Sequence, residues 1–276
     1  MRRQPALSRT CAVGIVVPVH NEENLLRLAL DALGRAIAKV PTRIECRVAI
    51  VLDTCNDAST AIAHRWATAH GSQWHRAQDP GALLISCGES NVGAARRHGC
   101  AALLTTRPRM NARHLWLATT DADSAVPDPW LTTQIAAHDA GVDLWAGRVS
   151  VADWSLHEPS TARLWSQEYG REGTPIHGAS LGMNAQAYLE IGGFRALRTG
   201  EDRDLYQRAL EAGARTQHEV NVTVTTSARR HARAPLGFAH ALTALESELV
   251  RGDRSRCEEV RAQSNKSHGL TRVTSR

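Results

Sequence analysis

The sequence predicts an α/β fold with a mostly parallel sheet flanked by helices, forming a single domain with two lobes. Two observations carry this prediction. Strand-like and helical segments alternate four times in the first half of the chain, which is the order that a parallel sheet requires. The first strand-like segments are continuous apolar runs, which are typical of strands buried on both faces. With 276 residues, of which 42% are hydrophobic, the chain can form a core of this size.

The first half contains the clearest strand and helix pairs. The first strand is the β-branched run at 12–19, and the helix that follows carries Leu25, Leu28 and Leu33 along one stripe. We expect Asn21 to be the N-cap of this helix, with Glu22 in its first turn. The same reasoning predicts strands at 46–53, 81–87 and 114–120, and helices at 59–70 and 91–106.

The second half, after Pro127, alternates less regularly. A Gly-rich turn, a short strand and a short helix are expected within 178–193. The other predicted elements are helices at 128–141, 160–170 and 201–214 and strands at 143–151 and 220–227. We assign residues 11–126 to the first lobe of the domain and residues 127–235 to the second. An amphipathic helix at 236–256 and a disordered tail at 257–276 are expected after the domain.

The charge of the chain favours small anionic ligands. The net charge is +5, and only Lys39 and Lys266 are lysines among the 33 basic residues. Arginine suits phosphate groups, so nucleotides fit this composition. We do not expect nucleic-acid binding, because the sequence has no long basic run with interleaved aromatic residues.

The cysteines argue against a zinc-cluster protein, and the apolar runs argue against a membrane-spanning one. No C-x-x-C pair occurs among the six cysteines, so we expect no zinc cluster and predict a cytoplasmic protein. No segment approaches the ~18 apolar residues of a membrane span, so no integral membrane segment is expected. The sequence does not indicate an oligomeric state.

Polar residues cluster where the predicted parallel strands end, which is where ligands bind in such sheets. Two acids lie two residues apart after the fourth strand, so in an extended stretch both carboxylates point the same way. They suit Mg²⁺ when phosphates of the substrate occupy the remaining coordination sites of the ion. An Asx-rich turn is the alternative for these acids. The candidate residues at this edge are Pro18, His20, Glu22, Asp53, Arg96, Asp121 and Asp123.

Several of these candidates also have ordinary structural explanations. Asp53 suits an N-cap or a turn, and Arg96 an exposed helix face. Glu201 and Asp202 open a helix, where acids favour the helix dipole. After the last strand come Arg229, Arg230 and His231, which could face phosphates or a metal, or form a solvated basic turn.

Six short motifs occur in a recognisable order. They are VVPVHNEE, VLDTCNDAST, NVGAARRHG, TTDADS, HGASLGMNAQAYLEIGGF and GEDRDLYQRALEAG. In sequence and order, the chain resembles the family 2 glycosyltransferases, of the Rossmann-like GT-A fold, from about Val13 to Thr226. It departs from the family pattern at Thr54, where a second Asp is common, and at His98, where Asn is usual. The Gln-x-x-Arg-Trp motif of processive members is absent.

The resemblance implies a role for each candidate residue. A nucleotide-diphosphate sugar, linked to UDP, GDP or dTDP, would be the donor, and Mg²⁺ or Mn²⁺ the cofactor. Asp202 would be the general base, with Glu201 the less favoured choice. Pro18, His20 and Glu22 would line the base and ribose pocket, Asp53 would contact the base, and Arg96 would lie near the nucleotide. Asp121 would face the ribose or the metal. Asp123 would bind the metal, and His231 would complete the metal site.

The expected activity is therefore a metal-dependent transfer of a sugar to an unknown acceptor hydroxyl. The reaction inverts the anomeric configuration if Asp202 is the base, and retention stays open. The alternatives are a sugar-phosphate nucleotidyltransferase and a catalytically inactive binding protein of the same fold.

Overall fold

A computed structural model describes residues 10–70, 81–106, 111–151, 153–168, 176–229, 242–243 and 246–247. The strands of its sheet are β1 (Ala12–Val19), β2 (Glu45–Asp53), β3 (Ala82–Cys87), β4 (Leu115–Thr119), β5 (Leu144–Val151), β6 (Leu181–Asn184) and β7 (Thr216–Thr226). The helices are α1 (Leu26–Ala38), α2 (Ser59–His70), α3 (Val92–Thr105), α4 (Trp130–Asp139), α5 (Pro159–Glu168), α6 (Ala185–Glu190) and α7 (Glu201–Glu211). Short 3₁₀ turns at Ala112–His114 and Gly178–Ser180 precede β4 and β6.

The strands form one sheet in the order β3-β2-β1-β4-β6-β5-β7. β6 runs antiparallel to both of its neighbours, β4 and β5, and the other pairings are parallel. The predicted α/β fold with a mostly parallel sheet is confirmed. Because β6 from the second half lies between β4 and β5, both halves of the chain belong to one sheet and form one domain.

The core has two layers, one on each face of the sheet. One face packs against α1, α2 and α4 through residues such as Leu30, Trp66 and Trp130. The other face packs against α3, α6 and α7 through residues such as Leu103 and Leu205. Burial of these apolar side chains is the main driving force for the fold. The sheet edge at which the parallel strands end lies between the two layers and stays open for polar residues.

Two buried tryptophans fix the second half of the sheet against α4. Trp116 Nε1 donates to Gln134 Oε1 at 2.8 Å, and Trp130 Nε1 donates to Ser180 Oγ at 3.2 Å. A buried indole N–H needs such a partner. These bonds join β4, α4 and the turn before β6, so they set the position of the residues that begin β6.

Most predicted elements are confirmed, but the prediction of Asn21 as a helix N-cap is wrong. α1 begins at Leu26 with Leu25 as its N-cap. Asn21 has φ 54°, and its Oδ1 accepts a hydrogen bond from the backbone N–H of Asn56 at 2.8 Å. Its side chain therefore links two loops instead of capping the helix, and Glu22 precedes the helix.

The C-terminal predictions lie largely outside the described residues. Residues 242–243 and 246–247 of the predicted helix at 236–256 are helical, and the tail at 257–276 is not described. In the described ranges, no helix is long and apolar enough to cross a membrane.

Candidate functional site

The loops that follow β1, β2 and β3 each contain a residue in the left-handed region of the backbone map. These residues are Asn21 (φ 54°), Thr54 (φ 54°) and Ser90 (φ 46°). A β-branched residue such as Thr54 adopts this conformation only when its surroundings hold it there. All three loops lie at the edge where the parallel strands end, so backbone strain is concentrated at the predicted ligand-binding edge.

Asp53, the last residue of β2, holds the loop between β3 and α3. Its Oδ1 accepts hydrogen bonds from the backbone N–H groups of Glu89 and Ser90, both at 2.9 Å, and its Oδ2 accepts from Asn91 at 2.8 Å. Burial alone would raise the pKa of the Asp53 carboxyl, but the Asn91 and Ser90 amides and the Thr54 hydroxyl lower it below its usual value. This geometry gives Asp53 a loop-holding role, and its contact with a nucleotide base stays a prediction.

The residues predicted to line the base pocket lie around the end of β1. Pro18 is half-buried in β1, beside Val51 of β2. His20 Nδ1 lies 2.6 Å from the carbonyl oxygen of Asp53, so Nδ1 carries the proton and donates it to this bond. The Glu22 backbone N–H donates to Ser59 Oγ at 2.7 Å. These contacts bring the loops after β1 and β2 together.

Arg96 is buried at the centre of the site, so the alternative of an exposed helix face is wrong. Its side chain is 2% exposed. Nη1 donates to Glu201 Oε1 at 3.0 Å, and Nη2 donates to Asp121 Oδ1. Burial alone would lower the pKa of Arg96, but the charges of Asp121 and Glu201 raise it above its usual value. Arg96 therefore stays charged and joins the end of β4 to the start of α7.

Glu201 and Asp202, although adjacent, lie in different environments. Glu201 is 5% exposed, and burial raises the pKa of its carboxyl to about 7 against the opposing effect of Arg96. Asp202 is half-buried, and its Oδ2 accepts the backbone N–H of Gly178 at 2.7 Å. Asp202 is therefore the more accessible carboxylate, while Glu201 is held by a buried guanidinium.

Sequence reasoning did not single out His177, which lies beside this cluster. Burial lowers the pKa of His177, while the carboxylates of Asp202 and Asp121 act to raise it. Its position at the start of the motif HGASLGMNAQAYLEIGGF, directly before Gly178, is the sequence signal that could have identified it.

Asp123 is held on both of its oxygens. Oδ1 accepts from Ser124 Oγ at 3.1 Å, and Oδ2 lies 2.8 Å from Arg229 Nη2. Arg229 Nη1 lies 2.5 Å from Glu22 Oε1. Burial raises the pKa of the Asp123 carboxyl, although Arg229 acts to lower it. Arg229 is therefore part of the site, and a fully solvated basic turn is wrong for this residue.

The two acids after β4 provide oxygen ligands for a divalent cation. The Asp121 side chain is 36% exposed, and the Asp123 side chain is 9% exposed. Among the described residues, no group of three His, Cys, Asp or Glu could hold a metal ion. Mg²⁺ needs only one or two carboxylates when phosphates and waters complete its shell. The residues fit such an ion, provided that Arg229 releases Asp123. His231 lies outside the described residues, so its role stays a prediction.

The structure thus brings the predicted residues together in two groups. Arg96, Asp121, Glu201 and Asp202 form one group, and the other consists of Glu22, Asp123 and Arg229. Both groups lie at the edge where the parallel strands end. The contact between Arg96 and Glu201, which are 105 residues apart in sequence, joins the two halves of the chain in the first group.

The model of one protein family matches most of the chain. The family is described as glycosyl transferase family 2, and the match covers residues 14–199. Glu201 and Asp202 lie just beyond this range. A search of curated proteins gives no match.

Several solved structures have a similar fold. TarS of S. aureus is 12% identical with a TM-score of 0.55, and the similarity covers 78% of this chain and 36% of TarS. A mannosyltransferase from Pyrobaculum calidifontis, in complex with GDP-Man and Mn²⁺, is 19% identical with a TM-score of 0.56, over 83% of this chain and 59% of that one. GalNAc-T7 with UDP, GalNAc and Mn²⁺ is 12% identical with a TM-score of 0.56, over 80% and 44%. The similarity covers less than two thirds of the length of each of these structures.

Proposed function

Because the chain belongs to glycosyl transferase family 2, we propose that this glycosyltransferase moves a sugar from a nucleotide-diphosphate donor to an acceptor hydroxyl. One observation carries the proposal. Asp121, the acid after β4, and Glu201, which precedes Asp202 at the start of α7, both bond to a single buried guanidinium, that of Arg96, and the charge of Asp202 also acts on it. A residue suited to the donor side and a candidate base for the acceptor side are thereby fixed relative to each other, as a direct transfer between two substrates requires.

The donor would lie along the ends of β1, β2 and β4. Glu22 and Asp123 face this region and are joined by Arg229, and the strained loops after β1 and β2 give it a fixed shape. The solved structures with GDP-Man or UDP support a nucleotide-sugar donor. The choice among UDP, GDP and dTDP is left to the experiment below.

A divalent cation, Mg²⁺ or Mn²⁺, would be held by Asp123 with help from Asp121. When bound, such an ion offsets the negative charge that develops on a leaving diphosphate. The oxygen ligands suit a hard cation, and the Mn²⁺ in two of the solved structures supports the choice. His231, on the segment after Arg229, is a further candidate ligand.

Asp202 would take the proton from the acceptor hydroxyl. Its carboxylate is accessible and is oriented by the Gly178 amide, as a general base must be. Glu201 is less suited, because it is buried and pairs with Arg96. If Asp202 acts as the base in a single displacement, the anomeric configuration inverts.

A panel of UDP-, GDP- and dTDP-linked sugars tests the function. We expect a thermal shift with one base and slow release of the nucleoside diphosphate when Mn²⁺ is present. Product formed only from a sugar phosphate plus a nucleoside triphosphate would favour a nucleotidyltransferase instead. Binding without turnover, in the presence of a wide range of sugar acceptors, would favour an inactive binding protein.

A further inference from the structure

Arg229 bridges two carboxylates that are far apart in sequence. It lies three residues after the end of β7 and contacts Glu22 after β1 and Asp123 after β4. Burial alone would lower the pKa of the Arg229 guanidinium, but the charges of Asp123 and Glu22 raise it, so the group stays charged. Its side chain is 27% exposed. The guanidinium is therefore partly shielded from water, yet it can still be reached.

The backbone that carries Arg229 is anchored. His157 Nε2 lies 2.7 Å from the carbonyl oxygen of Ala228, so this nitrogen donates a hydrogen bond to the residue before Arg229. His157 Nδ1 lies 3.6 Å from Glu246 Oε2. The bond between His157 and Ala228 holds the backbone next to Arg229 in place. The arginine side chain is long, so its guanidinium can move while this backbone stays fixed.

The guanidinium occupies a position that a divalent cation would need. Arg229 Nη2 is 2.8 Å from Asp123 Oδ2, the oxygen that Ser124 does not engage. A second positive charge on the same oxygen would lie within a few ångströms of the guanidinium, and like charges repel strongly in a partly buried site. Arg229 and a metal ion would therefore compete for Asp123 Oδ2.

We propose that Arg229 is a built-in competitor for the divalent cation, and that it exchanges Asp123 and Glu22 for the phosphate oxygens of the donor when the metal and the nucleotide bind together. The proposal rests on the function proposed above. The planar fork of arginine recognises carboxylate and phosphate equally well. The released guanidinium thus moves from one set of anionic oxygens to another.

This exchange predicts two effects of opposite sign. Removing the Arg229 guanidinium takes the positive charge away from Asp123 Oδ2, so free Mn²⁺ binds more tightly. The same change removes a phosphate ligand, so a nucleoside diphosphate binds more weakly once Mn²⁺ saturates the site. A purely structural role would weaken both, because a damaged site loses both ligands.

Isothermal titration calorimetry on the full chain tests the proposal with Arg229→Gln. Mn²⁺ alone is titrated first, and then UDP, GDP and dTDP at saturating Mn²⁺. We expect Mn²⁺ to bind at least about fivefold more tightly and the preferred nucleoside diphosphate at least about fivefold more weakly than in the wild type. Arg215→Gln is the matched control, because Arg215 pairs with Asp143 near the start of β5, at the opposite edge of the sheet.

Two further variants keep the test decisive. Arg229→Lys retains a positive charge without the planar fork, and we expect smaller changes in the same two directions. Asp123→Asn should abolish Mn²⁺ binding and so identify the site that is titrated, and circular dichroism checks that each variant is folded. Changes of the same sign for metal and nucleotide, or no change in Mn²⁺ affinity, would overturn the exchange. Release of nucleoside diphosphate by the wild type reports separately on the proposed function.

Discussion

The backbone N–H of Gly178 donates a hydrogen bond to Asp202 Oδ2 at 2.7 Å. The other carboxylate oxygen, Oδ1, accepts the backbone N–H of Arg203 at 2.8 Å. The turn before β6 and the first turn of α7 therefore hold this carboxylate between them. A base that must take a proton from a bound hydroxyl benefits from such a fixed orientation.

Asp202→Asn is expected to abolish proton transfer while preserving the shape of the side chain. We expect kcat to fall by about 10²- to 10⁴-fold, with the dissociation constant of the donor unchanged within about twofold. Steady-state kinetics and calorimetry of donor binding measure the two quantities. Arg203→Ala is the control, since it retains the backbone N–H that Asp202 accepts. An equal loss of turnover and donor binding would show that Asp202 is structural.

Gly178→Ala should disturb the site at the residue whose backbone N–H donates to Asp202. A Cβ at this position would meet the buried guanidinium of Arg96, which cannot move without leaving Asp121 and Glu201. We expect a loss of about 1 to 3 kcal/mol in the free energy of unfolding and a large loss of activity. Urea denaturation and a transfer assay measure both. Gly88→Ala is the control, because its Cβ would meet nothing within 4 Å, and equal stability of the two variants would contradict the prediction.

Glu201→Gln should change how the stability depends on pH. Burial raises the pKa of the Glu201 carboxyl to about 7 in the folded protein, whereas the unfolded chain has the usual value of 4.5. This carboxyl therefore makes the wild type lose stability as the pH rises from about 4.5 to 7, with no further change above. The Gln variant lacks this loss, so its stability relative to the wild type should rise across that window, by up to about 3 kcal/mol. Unfolding curves that keep a constant separation between pH 4.5 and 7 would refute the prediction.

Asp123→Ala should remove activity and Mn²⁺-dependent nucleotide binding while leaving the fold intact. The side chain lies in the turn after β4 and bonds to Ser124 and Arg229, so we expect its loss to affect the cation and Arg229 rather than the core. Calorimetry with Mn²⁺ and circular dichroism test the two parts of the prediction. Asp128→Ala, an exposed acid near Arg35 and Lys39, is the control. Full activity of Asp123→Ala would disprove the metal assignment.

Asp53→Asn should destabilise the loop between β3 and α3. The amide of Asn has one acceptor oxygen, so backbone N–H groups of Glu89, Ser90 or Asn91 would lose their partner. We expect a loss of about 1 to 3 kcal/mol at pH 7. The pKa of Asp53 is lowered in the fold, so its contribution is present above the usual value of 3.8 and is lost as the pH falls further. The destabilisation should therefore shrink in acid, and chemical denaturation at pH 7 and pH 3 tests this.

The sequence was sufficient to predict the strands and helices because their signals are local. The apolar run of β1 and the stripe of α1 each lie within one segment, and the bounds of β1 match the prediction. The N-cap at Asn21 could not be predicted correctly, because its side chain bonds to Asn56 in another loop. Local patterns favoured a cap, and a contact between two loops determined the outcome.

The pairing within the site depends on contacts that periodicity does not reveal. The sequence left Arg96 with two explanations, a place near the ligand or an exposed helix face. Its burial follows from the packing of α3 between the sheet and α7, where Asp121 and Glu201 meet it. The bridge from Arg229 to Glu22 joins residues 207 positions apart. The sequence pattern likewise does not predict which strands become neighbours, so it left open that β6 lies between β4 and β5.

The antiparallel strand β6 has a consequence for how new specificities can arise in this fold. Its backbone pairs with β4 on one side and β5 on the other, so a cut between the two lobes would break a continuous hydrogen-bonded sheet. Grafting the second lobe of a relative onto the first lobe of this chain would therefore need a matching β4 edge and a partner for Trp116. Exchange of the loops at the open edge leaves the hydrogen bonds between the strands intact, so these loops can change without breaking the sheet.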